Sequence, residues 1–141
     1  MVPDGVYPLS NAEQKDRKPE KGQPLTRSFS CAWQGVRNAF FERNMRIHLF
    51  FAIAAVILGF ALRVDAASWL AIIFCICLVF SLEVLNTALE ALVDLVSPEY
   101  HELAKRAKDC SAGAVLICAI GSLVVACIIY IPAFLRLISL M

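Results

Sequence analysis

The sequence predicts an all-α membrane protein, with an amino-terminal amphipathic surface helix followed by three transmembrane helices. Three observations carry this. The 141-residue chain is 60% hydrophobic with a mean hydropathy of +0.70, far more apolar than an ordinary soluble domain. Its apolar residues gather into three long runs almost free of charge. The basic residues lie outside those runs, between Lys15 and Arg46 and again at Lys105, Arg106 and Lys108, with single arginines at Arg63 and Arg136. A chain of this length makes one compact domain.

Residues 1–26 are polar, carry Pro3, Pro8, Pro19 and Pro24, and include the charged stretch EQKDRKPEKGQP. Nothing there can bury a core, so a disordered or loosely held tail is expected. No apolar segment follows the start, which excludes a secretory signal peptide from the reading. From 28 to 46, Phe29, Trp33, Val36, Phe40 and Phe41 recur at helical spacing, with Arg37, Arg43 and Arg46 placed to reach lipid headgroups. This is the pattern of an amphipathic helix lying in the membrane interface. A soluble helix packed on a partner would show it too.

The first span, 47–62, is slightly short, but flanking Arg46 and Arg63 can snorkel. The second starts at Ala66 and runs to Val96. Only RVDA (63–66) joins the two, so they form an antiparallel hairpin. The third occupies 110–132, where Pro132 is expected to limit continuation. Gly113 and Gly121 are expected to permit close helix packing, and Trp69 to join an outer aromatic belt. Cys31, Cys75, Cys77, Cys110, Cys118 and Cys127 include no CxxC pair, so free thiols are expected rather than zinc or disulfides.

Orientation follows from the basic residues. The amino-terminal region and the 97–109 loop hold nearly all of them, and three spans place both on one side. The amino terminus is therefore expected in the cytoplasm and the carboxyl terminus outside. No nucleic-acid partner is expected.

The second span ends in SLEVLNTALEALVD (81–94), with Glu83, Asn86, Glu90 and Asp94. A helix from 66 to 96 is about 46 Å long at about 1.5 Å per residue, against a hydrocarbon core about 30 Å thick. Glu83 then lies about 26 Å along it, near the inner boundary. At about 100° per residue, Asn86, Glu90 and Asp94 fall at about −60°, −20° and +20° from Glu83. One polar stripe results, expensive at membrane depth unless it faces protein, water, metal or ligand. A purely structural or solvent-facing role fits Asp94 well, and Glu83 and Glu90 less well. Carboxylates and an amide offer hard oxygen ligands for Mg²⁺, which is held by few carboxylates plus substrate phosphates. A further carboxylate can accept a proton from a hydroxyl. Lys105, Arg106 and Lys108 stand next door in SPEYHELAKRAKD (97–109). Depth and charge converge on a phosphate-handling site facing the cytosol.

EVLNTALEALVD followed by SPEYHELAKRAKDCSAGAVL strongly resembles the small prokaryotic diacylglycerol kinase and undecaprenol kinase family, over roughly residues 27–132. The E-x-x-N-x-x-x-E-x-x-x-D signature with the downstream H-E-L-A-x-x-A-K-D is specific to it. The resemblance implies a homotrimer that transfers the γ-phosphate of ATP to a membrane lipid alcohol, in sites shared between neighbours. No GxxxxGK[ST] or GxGxxG occurs in the chain, consistent with a kinase outside the P-loop and protein-kinase classes. By position, the resemblance makes Glu83 the general base, with Asn86 beside it. Glu90 and Glu42 become the metal ligands. Glu99, Tyr100, His101, Lys108 and Asp109 become nucleotide contacts, and Asp94 the last acidic position of the signature. Arg27, Trp33 and Arg37 correspond to positions near substrate or nucleotide in a helix whose length varies across the family.

On the residues alone, His101 reads equally as a solvated side chain. His48 reads as an interfacial anchor or bundle-facing hydrogen bonder, and Ser81 and Thr87 as hydrogen bonders within or between helices. The segment ERNMRIH (42–48) is closer to the undecaprenol branch, which makes undecaprenol the expected acceptor and diacylglycerol the alternative. From a different class, a non-catalytic membrane assembly subunit would use the carboxylates only for packing.

Overall fold

A computed structural model describes residues 25–139; apart from its last two residues, the tail expected over 1–26 lies outside the described residues. Contacts divide the chain between Ala32 and Trp33 into two units. The described part of the first is the opening half of helix α1 (Leu25–Ala39), where Leu25 and Phe29 stand exposed one turn apart. The second unit completes α1 and holds α2 (Arg43–Ala61), α3 (Ala66–Val96) and α4 (Glu102–Ser139). Among the described residues, α2, α3 and α4 are each long and apolar enough to cross a membrane.

The surface helix expected over 28–46 is shorter at its carboxyl end. The chain tightens after Ala39: Phe41 N–H donates to Asn38 and Glu42 N–H to Ala39, at 3.1 and 3.0 Å. Glu42 is then extended and α2 starts at Arg43. Packing explains the break. Ala39 and Met45 are almost fully buried on either side of it, and the Phe40 ring meets Phe80 of α3 edge-on at 5.8 Å. Arg43 and Arg46 therefore belong to the first spanning helix, where with Ile47 and Phe50 they line an open groove of about 450 Å³.

The hairpin between α2 and α3 closes as expected, and its chemistry is visible. Arg63 N–H donates to Phe60 and Val64 N–H to Gly59, a pattern that satisfies the last carbonyls of a helix and puts one residue in the left-handed region. That residue is Arg63, at φ 50°. Asp65 then caps α3 by accepting from the Ser68 N–H at 2.7 Å. The Trp69 ring lies against Phe60, centroids 4.7 Å apart, and over Gly59, where a Cβ would come to 3.0 Å from the indole. Gly59 is the glycine that permits close packing. At Gly113 and Gly121, contrary to expectation, a Cβ would meet nothing within 4 Å in the chain.

The 97–109 region is mostly helix rather than loop. Helix-forming Leu, Ala, Lys and Arg dominate from Glu102 onward, so α4 begins there and only residues 97–101 connect it to α3. Pro132 does not end α4, which continues to Ser139. One proline removes a single ladder hydrogen bond, and intact turns on both sides carry the helix through it, as membrane helices tolerate.

Helix α3 is central, packing most extensively on α4 and less on α2. Tyr130 O–H donates to the Ala55 carbonyl at 2.7 Å, tying α4 to α2 directly. The burial pattern is that of a membrane protein turned outside-in. Phe50, Phe74, Ile117 and Leu123 are exposed, while the few buried residues include Glu83 and Asn86. In water that arrangement would be untenable. In lipid it directs the polar groups inward. The six cysteines are free.

Candidate active site

The stripe on α3 opens onto a cavity of about 170 Å³ between α2, α3 and α4. Its polar wall consists of Glu83 and Asn86 from α3 with Asn44 and His48 from the first turns of α2. Its apolar wall is Val115, Leu116 and Ala119 of α4. Glu83 is 2% exposed and Asn86 4%. Among the described hydrogen bonds, none engages the Glu83 carboxylate; Thr87 O–H donates to the Glu83 backbone carbonyl instead, at 3.0 Å. A buried carboxylate thus faces a small cavity that is polar at one end and apolar at the other.

One turn along α3, Asn86 Nδ2 donates to Glu90 Oε1 at 2.9 Å. The Asn86 carbonyl oxygen lies 2.6 Å from Ser111 Oγ on α4. Farther along, Lys108 Nζ pairs with Asp94 Oδ1 at 2.5 Å. The stripe predicted from helical phase is real, and α4 reads it at Asn86 and Asp94.

Glu99, Tyr100, His101 and Asp109 lie around the start of α4. Glu99, Tyr100 and His101 are exposed in the connection before α4. The Ser97 hydroxyl donates to the Glu99 carbonyl, and His101 Nδ1 accepts from the Leu103 N–H. Asp109 pairs with Lys105 at 3.2 Å on the surface of α4. Trp33 and Arg37 are exposed on α1 and do not line the cavity; Arg27 is exposed in the first unit. Sequence reasoning missed Asn44 and Ser111; it gave His48 as an interfacial anchor or bundle-facing hydrogen bonder, and the structure puts it in the cavity wall. Ser111 had a usable signal, standing three residues after Lys108 and so on the same face of α4.

No group of three or more Asp, Glu, His or Cys side chains among the described residues is placed to hold a metal. Two carboxylates are nonetheless a suitable protein contribution to Mg²⁺, which keeps water and substrate phosphate oxygens as its other ligands. Glu90 is held at one oxygen by Asn86, leaving the other available, and Glu42 is exposed. The donor set fits.

The family described as prokaryotic diacylglycerol kinase matches residues 30–130, which include the cavity and the stripe. The chain belongs to that family. The kinase is 47% identical over 112 residues to a diacylglycerol kinase of Synechocystis, covering 78% of this chain and 64% of that one. It is 39% identical over 121 residues to an undecaprenol kinase of Bacillus subtilis, covering 85% and 98%. It is also 39% identical over 106 residues to a diacylglycerol kinase of Escherichia coli, covering 74% and 87%. The chain thus spans just under two thirds of the Synechocystis relative and nearly all of the Bacillus one. Membership makes it an integral-membrane lipid kinase, with ATP as co-substrate.

Proposed function

We propose that this kinase phosphorylates the terminal hydroxyl of undecaprenol, giving undecaprenyl phosphate for cell-envelope synthesis, with Glu83 as general base. The observation that carries the base assignment is the buried Glu83 carboxylate facing a cavity with one polar and one apolar wall. A lipid alcohol presents the matching pair of surfaces, a hydroxyl and a hydrocarbon chain.

In the reaction, Glu83 takes the proton of the acceptor hydroxyl as its oxygen attacks the γ-phosphorus. The bond from that phosphorus to the β,γ-bridging oxygen breaks, and ADP leaves. Catalysis of this kind rests on positioning and charge neutralisation. Asn86 and Glu90 keep their places through their hydrogen bond. Glu42 and Glu90 would hold Mg²⁺, which when bound supplies neutralisation of phosphate charge. Lys108 and Asp109, with Glu99, Tyr100 and His101, contact the nucleotide in this reading, and Arg27, Trp33 and Arg37 take part in substrate or nucleotide contact. In this reading the site is cytoplasmic, in the inner membrane of a bacterium, and neighbouring subunits of a homotrimer complete it.

Similarity to the Bacillus subtilis undecaprenol kinase along almost its whole length supports the choice of acceptor, as does the ERNMRIH segment that contributes Asn44 and His48 to the cavity. Diacylglycerol is the second reading, supported by the higher identity to the Synechocystis diacylglycerol kinase. Supplying purified kinase with ATP labelled at the γ-phosphate and each lipid in turn decides between them. Label is expected in undecaprenyl phosphate; label in phosphatidic acid alone would overturn the assignment.

A further inference from the structure

Ser111 stands 2.6 Å from Asn86 Oδ1 on α3 and 2.9 Å from the Lys108 carbonyl on its own helix. It has one hydroxyl proton, so donors must be assigned. The carboxylate of Glu90 accepts only, so the end of the Asn86 amide at 2.9 Å from Glu90 Oε1 must be the NH₂. The other end is then the carbonyl oxygen, and it needs a donor in a setting where Asn86 is 4% exposed. Ser111 supplies it. The Lys108 carbonyl belongs to the helical ladder of α4 and has no such need. Donation therefore runs in one direction, from Ser111 to Asn86 to Glu90.

We propose that Ser111 is a positioning residue of this kinase: through Asn86, its hydroxyl fixes the Glu90 carboxylate for divalent-metal binding. The proposal rests on the reading of Glu90 as a metal ligand. Remove the hydroxyl, and the Asn86 oxygen is buried without a donor. The amide then has reason to rotate or flip, and a flipped amide would set its oxygen against the Glu90 carboxylate. Lys108, three residues earlier on α4, pairs with Asp94, eight residues after Asn86 on α3. The extensive packing of α4 on α3 keeps the register when Ser111 is altered, so the loss stays local.

The test measures Mn²⁺ binding by electron paramagnetic resonance, with a non-hydrolysable ATP analogue present, on full-length kinase and its variants. Partners that orient a metal ligand contribute about 10-fold or more to affinity. Ser111→Ala is expected to weaken Mn²⁺ binding about 10-fold, and Ser111→Thr to restore it. In an Asn86→Ala background, Ser111→Ala is expected to add nothing, because the two residues act in series. Ser111→Cys keeps the volume with a weaker donor; it should bind Mn²⁺ less tightly than wild type, and it is read in place of Ser111→Ala if that variant fails to fold. Glu90→Gln separates the two layers. If it weakens Mn²⁺ binding while the Ser111 variant binds like wild type, the role of Ser111 is overturned and Glu90 keeps its own. If Glu90→Gln itself binds like wild type, the metal assignment falls and the proposal falls with it.

Discussion

Lys108 on α4 donates to Asp94 on α3 across 2.5 Å, joining two residues that the signature placed fourteen positions apart. The pair lies at the wet end of the stripe, with the Asp94 side chain 66% exposed and that of Lys108 35%. Exposed pairs contribute under about 1 kcal/mol, so its value lies in placing the ammonium rather than in holding the helices together. Asp94→Asn is expected to change unfolding stability by less than about 1 kcal/mol. Lys108→Met is expected to raise the KM for ATP by roughly 10-fold or more, the scale of one charge-assisted hydrogen bond. Steady-state kinetics beside thermal unfolding in detergent checks both.

The hairpin offers a second test. A methyl group at Gly59 would press on the Trp69 indole at 3.0 Å, a ring that Phe60 already meets at a tilt. Overpacking of this kind costs about 1–3 kcal/mol. Gly59→Ala should lower the unfolding temperature, and a smaller residue at 69, as in Gly59→Ala/Trp69→Leu, should recover part of it. An unchanged unfolding temperature in the single variant would contradict the packing described.

Asp65 makes a pH prediction at the opposite end of the bundle. The Ser68 backbone N–H, and after it the Ser68 hydroxyl, hold its carboxyl below the ordinary aspartate range. A lowered value means that the charged form is favoured in the folded chain. The cap's contribution is therefore complete above the ordinary aspartate range and is lost as pH falls through the lowered value. Asp65→Asn, which cannot ionise, should show a flatter dependence of unfolding temperature on pH over that acidic window. Parallel curves for the two proteins would refute the cap's ionic character.

Local rules made much of this molecule legible. Local signals bound the second span, with Asp65 capping its start and Ser97 at its end, and its stripe follows from helical phase. What escaped depended on contacts between distant segments. Phe40 against Phe80 breaks the surface helix before its pattern of aromatic and basic residues runs out. Pro132 has a general reputation that the intact turns of α4 override. The roles of Asn44, His48 and Ser111 depend on which residues of α2 and α4 stand opposite Glu83 and Asn86. Spacing within one helix carries no information about that register.

The central claim is that the buried carboxylate in the cavity is the base. Glu83→Gln keeps the shape of the side chain and removes the basic group. Turnover of lipid with labelled ATP by that variant, purified and verified as folded, tests the claim most directly. General-base catalysis is worth about 10²–10⁴-fold, and a loss of that size in kcat, with the unfolding temperature unchanged or raised, is the predicted result. Lipid phosphorylation at the wild-type rate would contradict it.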